Sequence, residues 1–533
     1  MTRVSLVDST IRRRLTLLTV VALGAGGIPA AFAASATAGR PPCSAPDAGG
    51  AWPAYGHDAA NTRTQPAETG LGPADAARLA KRWVFTTRGG IQSTPVVSGG
   101  CVYVTTTTGH VYAVDARTGR QVWQRTVTFG GNSNGTSLGG VIPGAPTVVG
   151  GQVIVLVSQN GAPYAESFDA HTGNTIWQSA PASTQKNVYT NASAAVSNGV
   201  LVFGYSPPEG ADTGQGGAAL LDAQSGALLA DVPTVPVADQ KTGFAGGGIW
   251  STAAFDNNGY AYVGAGNPNS KTKQHPRTDA ILKIDINRHR ATFGHIVGYT
   301  PGNVDQYSDT LQTLSHNPVC AASDTGQPWP LDDPLCGQLD LDFGASPNLF
   351  PDGAGGLLVG DLQKSGEYHV AHTATMGKDW SSTVGLSCFG CNADSTAYDG
   401  SAIYTVGTPG GVLWALNPTT GAPKWQSPVA DGLHYQSIST AAGVVYTVDM
   451  WGFLDAWKAA DGSVVLKHSA AMDAGTPAGG FSSQGVAIAD HMVFTSVSSI
   501  TAWLDGSSPV SPPSSGYLTA YAPGPATSPA PLP

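Results

Sequence analysis

Charged residues are scarce in this chain, since Asp, Glu, Lys and Arg together make up 12% of its 533 residues. The formal net charge is −10, and no cluster of basic residues follows Arg12–Arg14. A protein that binds nucleic acid or an anionic lipid surface electrostatically needs a basic surface. The composition therefore speaks against a nucleic-acid-binding function and favours small or neutral partners.

Long apolar runs are also missing after the N-terminal region. No later segment reaches the roughly 18 uninterrupted apolar residues that a membrane-spanning helix needs. The N-terminus itself is different. Arg12–Arg14 precede the apolar run Leu15–Ile28, and Ala31–Ala33 form a small-x-small cleavage site. We therefore expect a signal peptide over residues 1–33 and an exported protein without a membrane span, either secreted or in the periplasm or cell envelope. The paired arginines fit a twin-arginine (Tat) signal and a general secretory (Sec) signal equally.

Composition speaks against long helices, because the chain has 69 Gly, 38 Pro and 8% aromatic residues. That profile is typical of many short strands joined by tight turns. The chain is also longer than one ordinary hydrophobic core supports, which favours a repetitive architecture.

Six cysteines in an exported protein indicate disulfides. The expected pairings are Cys43 with Cys101 and Cys320 with Cys336. Cys388 and Cys391 form a CxxC, but Asn392 follows where covalent haem attachment needs His. We therefore expect a structural loop disulfide there in preference to a redox-active dithiol, and no c-type haem.

A repeat provides the main signal for the fold. In three copies an Asp or Asn opens a turn that ends in Gly, and Trp follows the Gly at the same interval: Val111–Gly119 with Trp123, Ser167–Gly173 with Trp177, and Trp414–Gly421 with Trp425. Weaker copies are Leu221–Gly226, Lys283–Phe293, His369–Trp380 and Ala456–Leu466. Such a repeat is typical of propeller blades with four short strands each. The sequence predicts an all-β fold, an eight-bladed β-propeller.

The residues that recur in each copy do so for physical reasons. The Asp or Asn side chain can bond its own backbone, and Gly supplies the positive φ that the turn requires. The Trp offers a large flat face that one blade can bury against the next. We expect the eighth blade to combine Tyr517–Tyr521 with the stretch before Leu79. The predicted organisation is a flexible segment over 34–50, the propeller over 51–521 and a disordered Pro/Ala-rich tail over 522–533.

The copies resemble the tryptophan-docking motif of the pyrroloquinoline-quinone (PQQ)-dependent alcohol dehydrogenases. Trp52–Arg63 and Leu341–Pro347 are most similar to the polyvinyl-alcohol dehydrogenase branch. The resemblance implies a quinoprotein that binds PQQ and Ca²⁺, with a lanthanide as the less favoured ion. It implies oxidation of an alcohol, expected to be secondary and polyvinyl-alcohol-like, by hydride transfer to the quinone. No CxxCH occurs, so electrons would pass to an external acceptor such as a cytochrome c.

The resemblance also assigns a metal site. Glu209, at the end of Ser206–Glu209, and Asn267, within Gly264–Pro268, match the carboxylate and amide ligands, and Asp340 would join them. Oxygen donors of this kind suit Ca²⁺. The alternatives are a solvated loop Glu and an ordinary turn Asn.

A quinone pocket follows from the same comparison. Trp250 matches the pocket floor, with a core Trp between blades as the alternative. Lys364 matches the residue that hydrogen-bonds the quinone oxygens, with a surface hairpin lysine as the alternative. The remaining predicted contacts are Gln92, Asn392 and Phe453. The sequence lacks the family's adjacent cysteine pair and its carboxylate-binding Arg.

The reaction needs a base for the alcohol proton. Asp340 and Asp342 alternate along one strand and share a face. Aligning the sequence with the family on Ala345 and Pro347 places Asp340 at the position of the base, which we favour. Aligning it on the Asp-Phe pair places Asp342 there instead. The competing hypothesis for the whole chain is a quinone-free propeller that serves as a binding or assembly scaffold. A hydrolase or lyase using His110 or His434 has no supporting motif.

Overall fold

The computed structural model describes residues 40–127, 141–158, 163–183, 188–207, 214–269, 273–303, 341–386, 392–408, 410–429, 434–475, 485–498 and 515–525. The fold lies within the compact unit Pro41–Pro533. The described residues form eight sheets, so the predicted all-β class is confirmed.

Blades I to VIII follow one another along the chain, and consecutive strands within each blade pair antiparallel, while blades VII and VIII each take one further strand from the N-terminal part. Two strands come first, β1 Thr64–Gln65 and β2 Leu79–Arg88. Blade I contains β3 Val96–Ser98, β4 Cys101–Thr105, β5 His110–Asp115 and β6 Gln121–Thr126. Blade II contains β7 Thr147–Val149, β8 Gln152–Val157, β9 Tyr164–Asp169 and β10 Thr175–Gln178. Blade III contains β11 Ala195–Ser197, β12 Val200–Tyr205, β13 Gly217–Asp222 and β14 Leu228–Pro233.

The same order continues around the molecule. Blade IV contains β15 Ala254–Phe255, β16 Tyr260–Gly264, β17 Ala280–Asp285 and β18 Ile296–Pro301. Blade V contains β19 Asn348–Pro351, β20 Leu357–Leu362, β21 Glu367–His372 and β22 Lys378–Thr383. Blade VI contains β23 Ala397–Tyr398, β24 Ile403–Gly407, β25 Val412–Leu416 and β26 Pro423–Pro428. Blade VII contains β27 Ser439–Ala441, β28 Val444–Val448, β29 Phe453–Lys458 and β30 Val464–Ser469. Blade VIII contains β31 Ala487–Ala489, β32 Met492–Ser498 and β33 Ser515–Pro523.

The blades close into a ring through their first strands. β3 contacts β7, the first strands of blades IV to VIII contact one another in succession, and β31 contacts β3 again. Blades III and IV are joined by the hydrogen bond from the Ser193 amide to Thr252 Oγ1, 3.2 Å. The first strand of each blade therefore lies innermost, and the predicted eight-bladed propeller is confirmed.

Tryptophans join the blades as the repeat predicts. The Trp123 indole N–H donates to Ala170 O at 2.9 Å, and a Cβ added at Gly173 would lie 2.7 Å from the Trp123 ring. Trp425 repeats this arrangement, since it donates to Ala459 O at 2.9 Å and covers Gly462. A side chain at either glycine would displace the indole, so the turn needs Gly both for its positive φ and for this close approach.

The two ends of the chain meet in blade VIII. β33 pairs with β2, from Leu79 opposite Pro523 to Arg88 opposite Ser515. The expected contribution of both ends is confirmed, but the N-terminal strand begins at Leu79 and does not precede it. In addition, β1 pairs parallel with β27 and extends blade VII to five strands.

The segment before blade I is tied down. The predicted disulfide between Cys43 and Cys101 is present, with the two Cα atoms 5.0 Å apart, and the Ala45 amide donates to Gly99 O at 2.8 Å. Cys43 and Ala45 thus attach the described part of residues 34–50 to blade I, while the flexibility of that segment stays a prediction. The other four cysteines lie outside the described residues.

Helices are short. In the part of the chain that the structure describes, they are α1 Pro73–Ala76, α2 Val237–Gln240 and α3 Ala470–Ala474. Within the described ranges, none has the length and apolar character to cross a membrane.

Candidate functional site

One end of the propeller collects the predicted site residues. In an antiparallel blade whose first strand is innermost, the segment before the first strand and the turn between the second and third strands lie at the same end. Trp250, Asp342 and Asn392 precede the first strands of blades IV, V and VI, and Asn267 and Lys364 follow the second strands of blades IV and V. We call this end the site end.

Three of these side chains and the backbone amide of Asn267 form a group across the junction of blades IV and V. Lys364 Nζ lies 3.3 Å from Asp342 Oδ2 and 5.2 Å from the centre of the Trp250 ring. Asp342 Oδ1 accepts a hydrogen bond from the Asn267 amide at 2.7 Å. We refer to Trp250, Asn267, Asp342 and Lys364 as the junction group.

The junction group is partly removed from solvent. The Lys364 side chain is 9% exposed and that of Asp342 14% exposed, while Trp250 is half-buried. A salt bridge that is this buried depends on good geometry, since removing either partner leaves the other charge without compensation. The surface-lysine alternative for Lys364 is therefore wrong.

Glycines allow the close approach within the group. A Cβ at Gly266 would lie 2.4 Å from Asp342 Oδ1, and a Cβ at Gly344 would lie 2.1 Å from Trp250 Cη2. Neither distance is compatible with a side chain unless the neighbour moves. The sequence Gly264–Pro268 thus matters because the turn must admit the carboxylate of the next blade.

Asn392 packs against the turn that carries Lys364. It is fully buried, adopts φ 53°, and donates from Nδ2 to Lys364 O at 3.2 Å and to Leu386 O at 2.7 Å. Its Oδ1 accepts from the Thr408 amide at 2.9 Å. These contacts make Asn392 a support of the Lys364 backbone, while its predicted contact with the quinone stays a prediction.

Gln92 and Phe453 lie at the same end in other blades. Gln92 precedes β3 in blade I, and Phe453 begins β29 in blade VII. Lys467 Nζ lies 5.0 Å above the Phe453 ring. The part of both residues in a quinone pocket stays a prediction.

Glu209 and Asp340, the predicted carboxylate ligand and the favoured base, lie outside the described residues. Among the residues that are described, no group of three or more His, Cys, Asp or Glu side chains could hold a metal ion. The described part of the predicted metal site consists of Asn267, with Asp342 beside it.

Two buried carboxyl groups near the site end were not predicted from the sequence. Asp361 lies near the end of β20, is fully buried, and burial raises its pKa well above the ordinary value. Asp394 follows Asn392 and is also fully buried, and burial raises its pKa to about 7 against the opposing effect of His434. Their burial depends on how neighbouring blades pack, a feature that no local pattern reveals.

Comparison with known proteins agrees with this fold. The family model described as outer membrane protein assembly factor BamB matches residues 68–290. A polyvinylalcohol dehydrogenase from Sphingopyxis sp. strain 113P3 is 26% identical over 479 residues, which cover 80% of this chain and 67% of the relative. The predicted resemblance to the quinoprotein alcohol dehydrogenases is confirmed.

Two solved structures share the architecture of this chain. The quinohemoprotein alcohol dehydrogenase ADHIIG from Pseudomonas putida HK5 superposes with a TM-score of 0.67 at 17% identity, covering 91% of this chain and 82% of that one. BamB from Moraxella catarrhalis superposes with a TM-score of 0.51 at 14% identity, covering 83% of this chain and 99% of that one. The fold is thus shared by dehydrogenases and by a protein named for assembly, and fold alone does not decide function.

Proposed function

We propose that the chain is an exported PQQ-dependent alcohol dehydrogenase. The observation that carries the proposal is the junction group, in which an aromatic ring, a buried ammonium group, a carboxylate and the backbone amide of Asn267 from two blades meet at one end of the propeller. The relatives named as alcohol dehydrogenases support the same activity.

The residues present fit the quinone. PQQ is a flat, anionic tricycle, and the half-buried Trp250 ring would provide a stacking surface for it. Lys364 Nζ, 5.2 Å from the centre of that ring, would donate hydrogen bonds to the quinone oxygens. Gln92, Asn392 and Phe453 remain proposed contacts. When bound, PQQ would supply an electrophilic carbonyl that accepts hydride from the alcohol carbon.

The proposed cation is Ca²⁺, with a lanthanide as the less favoured ion. Asn267 offers an amide oxygen, and Glu209 and Asp340 are the proposed carboxylate ligands. Hard oxygen donors are the ligands that Ca²⁺ takes in proteins. These residues would hold the ion beside the quinone, where its charge would favour negative charge on the quinone oxygens.

We assign different roles to the two aspartates. Both oxygens of Asp342 already accept hydrogen bonds, one from the Asn267 amide and one from Lys364. Asp342 is therefore suited to hold Lys364 in place. That supports Asp340 as the base that takes the alcohol proton, as general-base catalysis requires.

Substrate, acceptor and location are part of the proposal. The substrate would be a secondary alcohol, and the polyvinylalcohol dehydrogenase relative supports a polymer of secondary alcohols. Electrons would leave to a separate acceptor such as a cytochrome c, since the chain has no CxxCH. The signal peptide predicted over residues 1–33 would place the protein outside the cytoplasm.

Reconstitution tests the proposal. Purified protein is incubated with PQQ and Ca²⁺, and dye reduction is followed with secondary alcohols. We expect activity that requires both additions, and an activity loss of about 10²–10⁴-fold in Asp340→Asn, the range typical of a general base. The exposed Asp352→Asn is the matched control and should leave activity unchanged. A wild-type protein that takes up no quinone would contradict the proposal.

The second candidate function is a scaffold, favoured by the match of residues 68–290 to the BamB family model. A scaffold needs no quinone, and its junction group would serve stability alone. In that case Lys364→Met would lower the free energy of unfolding without any quinone-linked effect. Quinone uptake that Lys364→Met abolishes would decide for the enzyme.

A further inference from the structure

The segment Trp52–Gln65 runs around the inside of the ring, and we call it the axial segment. Its backbone carbonyls accept hydrogen bonds from the innermost strands of six blades. The donors are the amides of Val97, Val148, Phe255, Leu349, Tyr398 and Thr440, at 2.6–2.9 Å. A stretch this short can reach so many blades only at the axis of the propeller. The proposed alcohol-dehydrogenase activity gives the axial segment no role.

Three side chains of the axial segment each join two blades. Tyr55 Oη bonds Ser395 Oγ of blade VI and Ser437 Oγ of blade VII. The buried Arg63 guanidinium donates to Ile438 O beside blade VII and to Thr94 Oγ1 beside blade I. Asn61 bridges blades IV and V, the two blades that carry the junction group.

Asn61 uses both hydrogens of its amide in this bridge. Nδ2 donates to Thr252 O at 3.1 Å and to Pro347 O at 3.1 Å, and the residue is 4% exposed. Thr252 follows Trp250 in the segment that enters blade IV. Pro347 follows Asp342 in the segment that enters blade V. One planar amide therefore bonds both of the backbone segments that carry an aromatic ring and a carboxylate of the site.

Neighbouring contacts reinforce the bridge. The Phe255 amide of blade IV donates to Ala59 O, and the Leu349 amide of blade V donates to Ala60 O. Between the blades, the Thr252 amide donates to Ser346 Oγ at 2.9 Å. The junction of blades IV and V is thus held from the axis at several adjacent points, with Asn61 joining both sides through one side chain.

We infer that Asn61 is a positioning residue that fixes the distance between blades IV and V, and thereby holds the junction group together. It acts through the backbone carbonyls of Thr252 and Pro347. The consequence for quinone binding rests on the proposed function, whereas the consequence for the junction itself does not.

Asn61→Asp tests the inference with little change in size. Asp tolerates the positive φ of 54° at this position, but its carboxylate has no hydrogen to donate and would face two carbonyl oxygens. Asn61→Gly is a milder second variant, which removes the donors and suits the same backbone conformation. It serves if the aspartate variant does not fold.

Gln65→Glu is the matched control. Gln65 Nε2 donates to Ala51 O at 2.7 Å and to Ile488 O of blade VIII at 3.1 Å, so the same amide-to-carboxylate change acts far from blades IV and V. It should lower the melting temperature to a similar extent without affecting the junction group.

Hydrogen exchange of the Asn267 amide is the primary measurement, because this amide bonds Asp342 across the junction in the protein without added cofactor. We expect exchange at least about ten times faster in the Asn61 variants, since local opening controls protection. Gln65→Glu should exchange at the wild-type rate. Equal Asn267 exchange in wild type and both Asn61 variants would overturn the inference.

Quinone binding is the second measurement, followed by quenching of tryptophan fluorescence with Ca²⁺ present. We expect Kd to rise at least about tenfold in the Asn61 variants and to stay constant in Gln65→Glu. If wild-type protein binds no quinone but the exchange difference is found, the proposed function fails and the positioning role stands. If the Asn61 variants bind quinone as tightly as wild type, the link from Asn61 to the site is wrong.

Discussion

Asp394 should make the stability of this propeller depend on pH in a direction opposite to most carboxyl groups. The side chain is fully buried, and desolvation raises its pKa from 3.8 to about 7. Its Oδ2 accepts from the Val406 amide at 3.1 Å, while Oδ1 has no described partner. The folded protein therefore keeps a proton that the unfolded chain releases.

The magnitude follows from the two pKa values. The folded pKa is raised, so the free energy of unfolding falls as pH rises from about 4 to about 7 and then levels off. Each pH unit of that window corresponds to about 1.4 kcal/mol, which gives a total loss of about 4 kcal/mol. Asn at this position carries no titrating proton, and its amide oxygen can accept the same bond from Val406.

Asp394→Asn therefore should match wild type most closely near pH 4 and exceed it by up to about 4 kcal/mol near pH 8. Urea unfolding at both pH values measures the difference. Asp352→Asn is the control, because that exposed carboxylate accepts bonds from the Ala354 and Gly356 amides, which lower its pKa. The control should lose stability at the higher pH. An Asp394→Asn effect of equal size at both pH values would refute the reasoning.

Other predictions concern the blades and the site. Trp123→Ala removes the indole that covers Gly173 and should cost about 3–5 kcal/mol in urea unfolding, whereas the exposed Ile176→Ala should cost little; equal losses would contradict the docking role. Replacing Cys43 and Cys101 by Ser opens a loop of sequence separation 58 and should cost about 4 kcal/mol, and a variant as stable as the oxidised wild type would argue against the disulfide. Gly344→Ala should weaken quinone binding at least about tenfold because its Cβ would meet Trp250 Cη2, while Gly377→Ala should not; unchanged binding in Gly344→Ala would mean that Trp250 is not the floor.

The fold was accessible from the sequence because its repeat has a local cause. Each Asp-to-Gly turn and its Trp recur as a unit, and the contact of Trp123 with the turn at Gly173 joins neighbouring units along the chain. The contribution of both chain ends to the last blade was predictable, because pairing the two ends closes the ring. The start of the N-terminal strand at Leu79 was not, because strand limits depend on pairing with β33.

The site was accessible only in part. Trp250, Asn267, Asp342 and Lys364 were found through motifs, and their convergence could not be derived without ring closure. The bridging role of Asn61 was hidden, since its two partners lie far away in the sequence, at Thr252 and Pro347. A polar residue that acts through distant backbone carbonyls leaves no periodic signal.

The most direct test of the central claim is a crystal structure of the protein soaked with PQQ and Ca²⁺. The proposal predicts a planar quinone stacked on Trp250, with Lys364 Nζ at its oxygen edge and a cation near Asn267. Quinone density elsewhere on the propeller, or none at the site end in crystals soaked at saturating concentration, would contradict it.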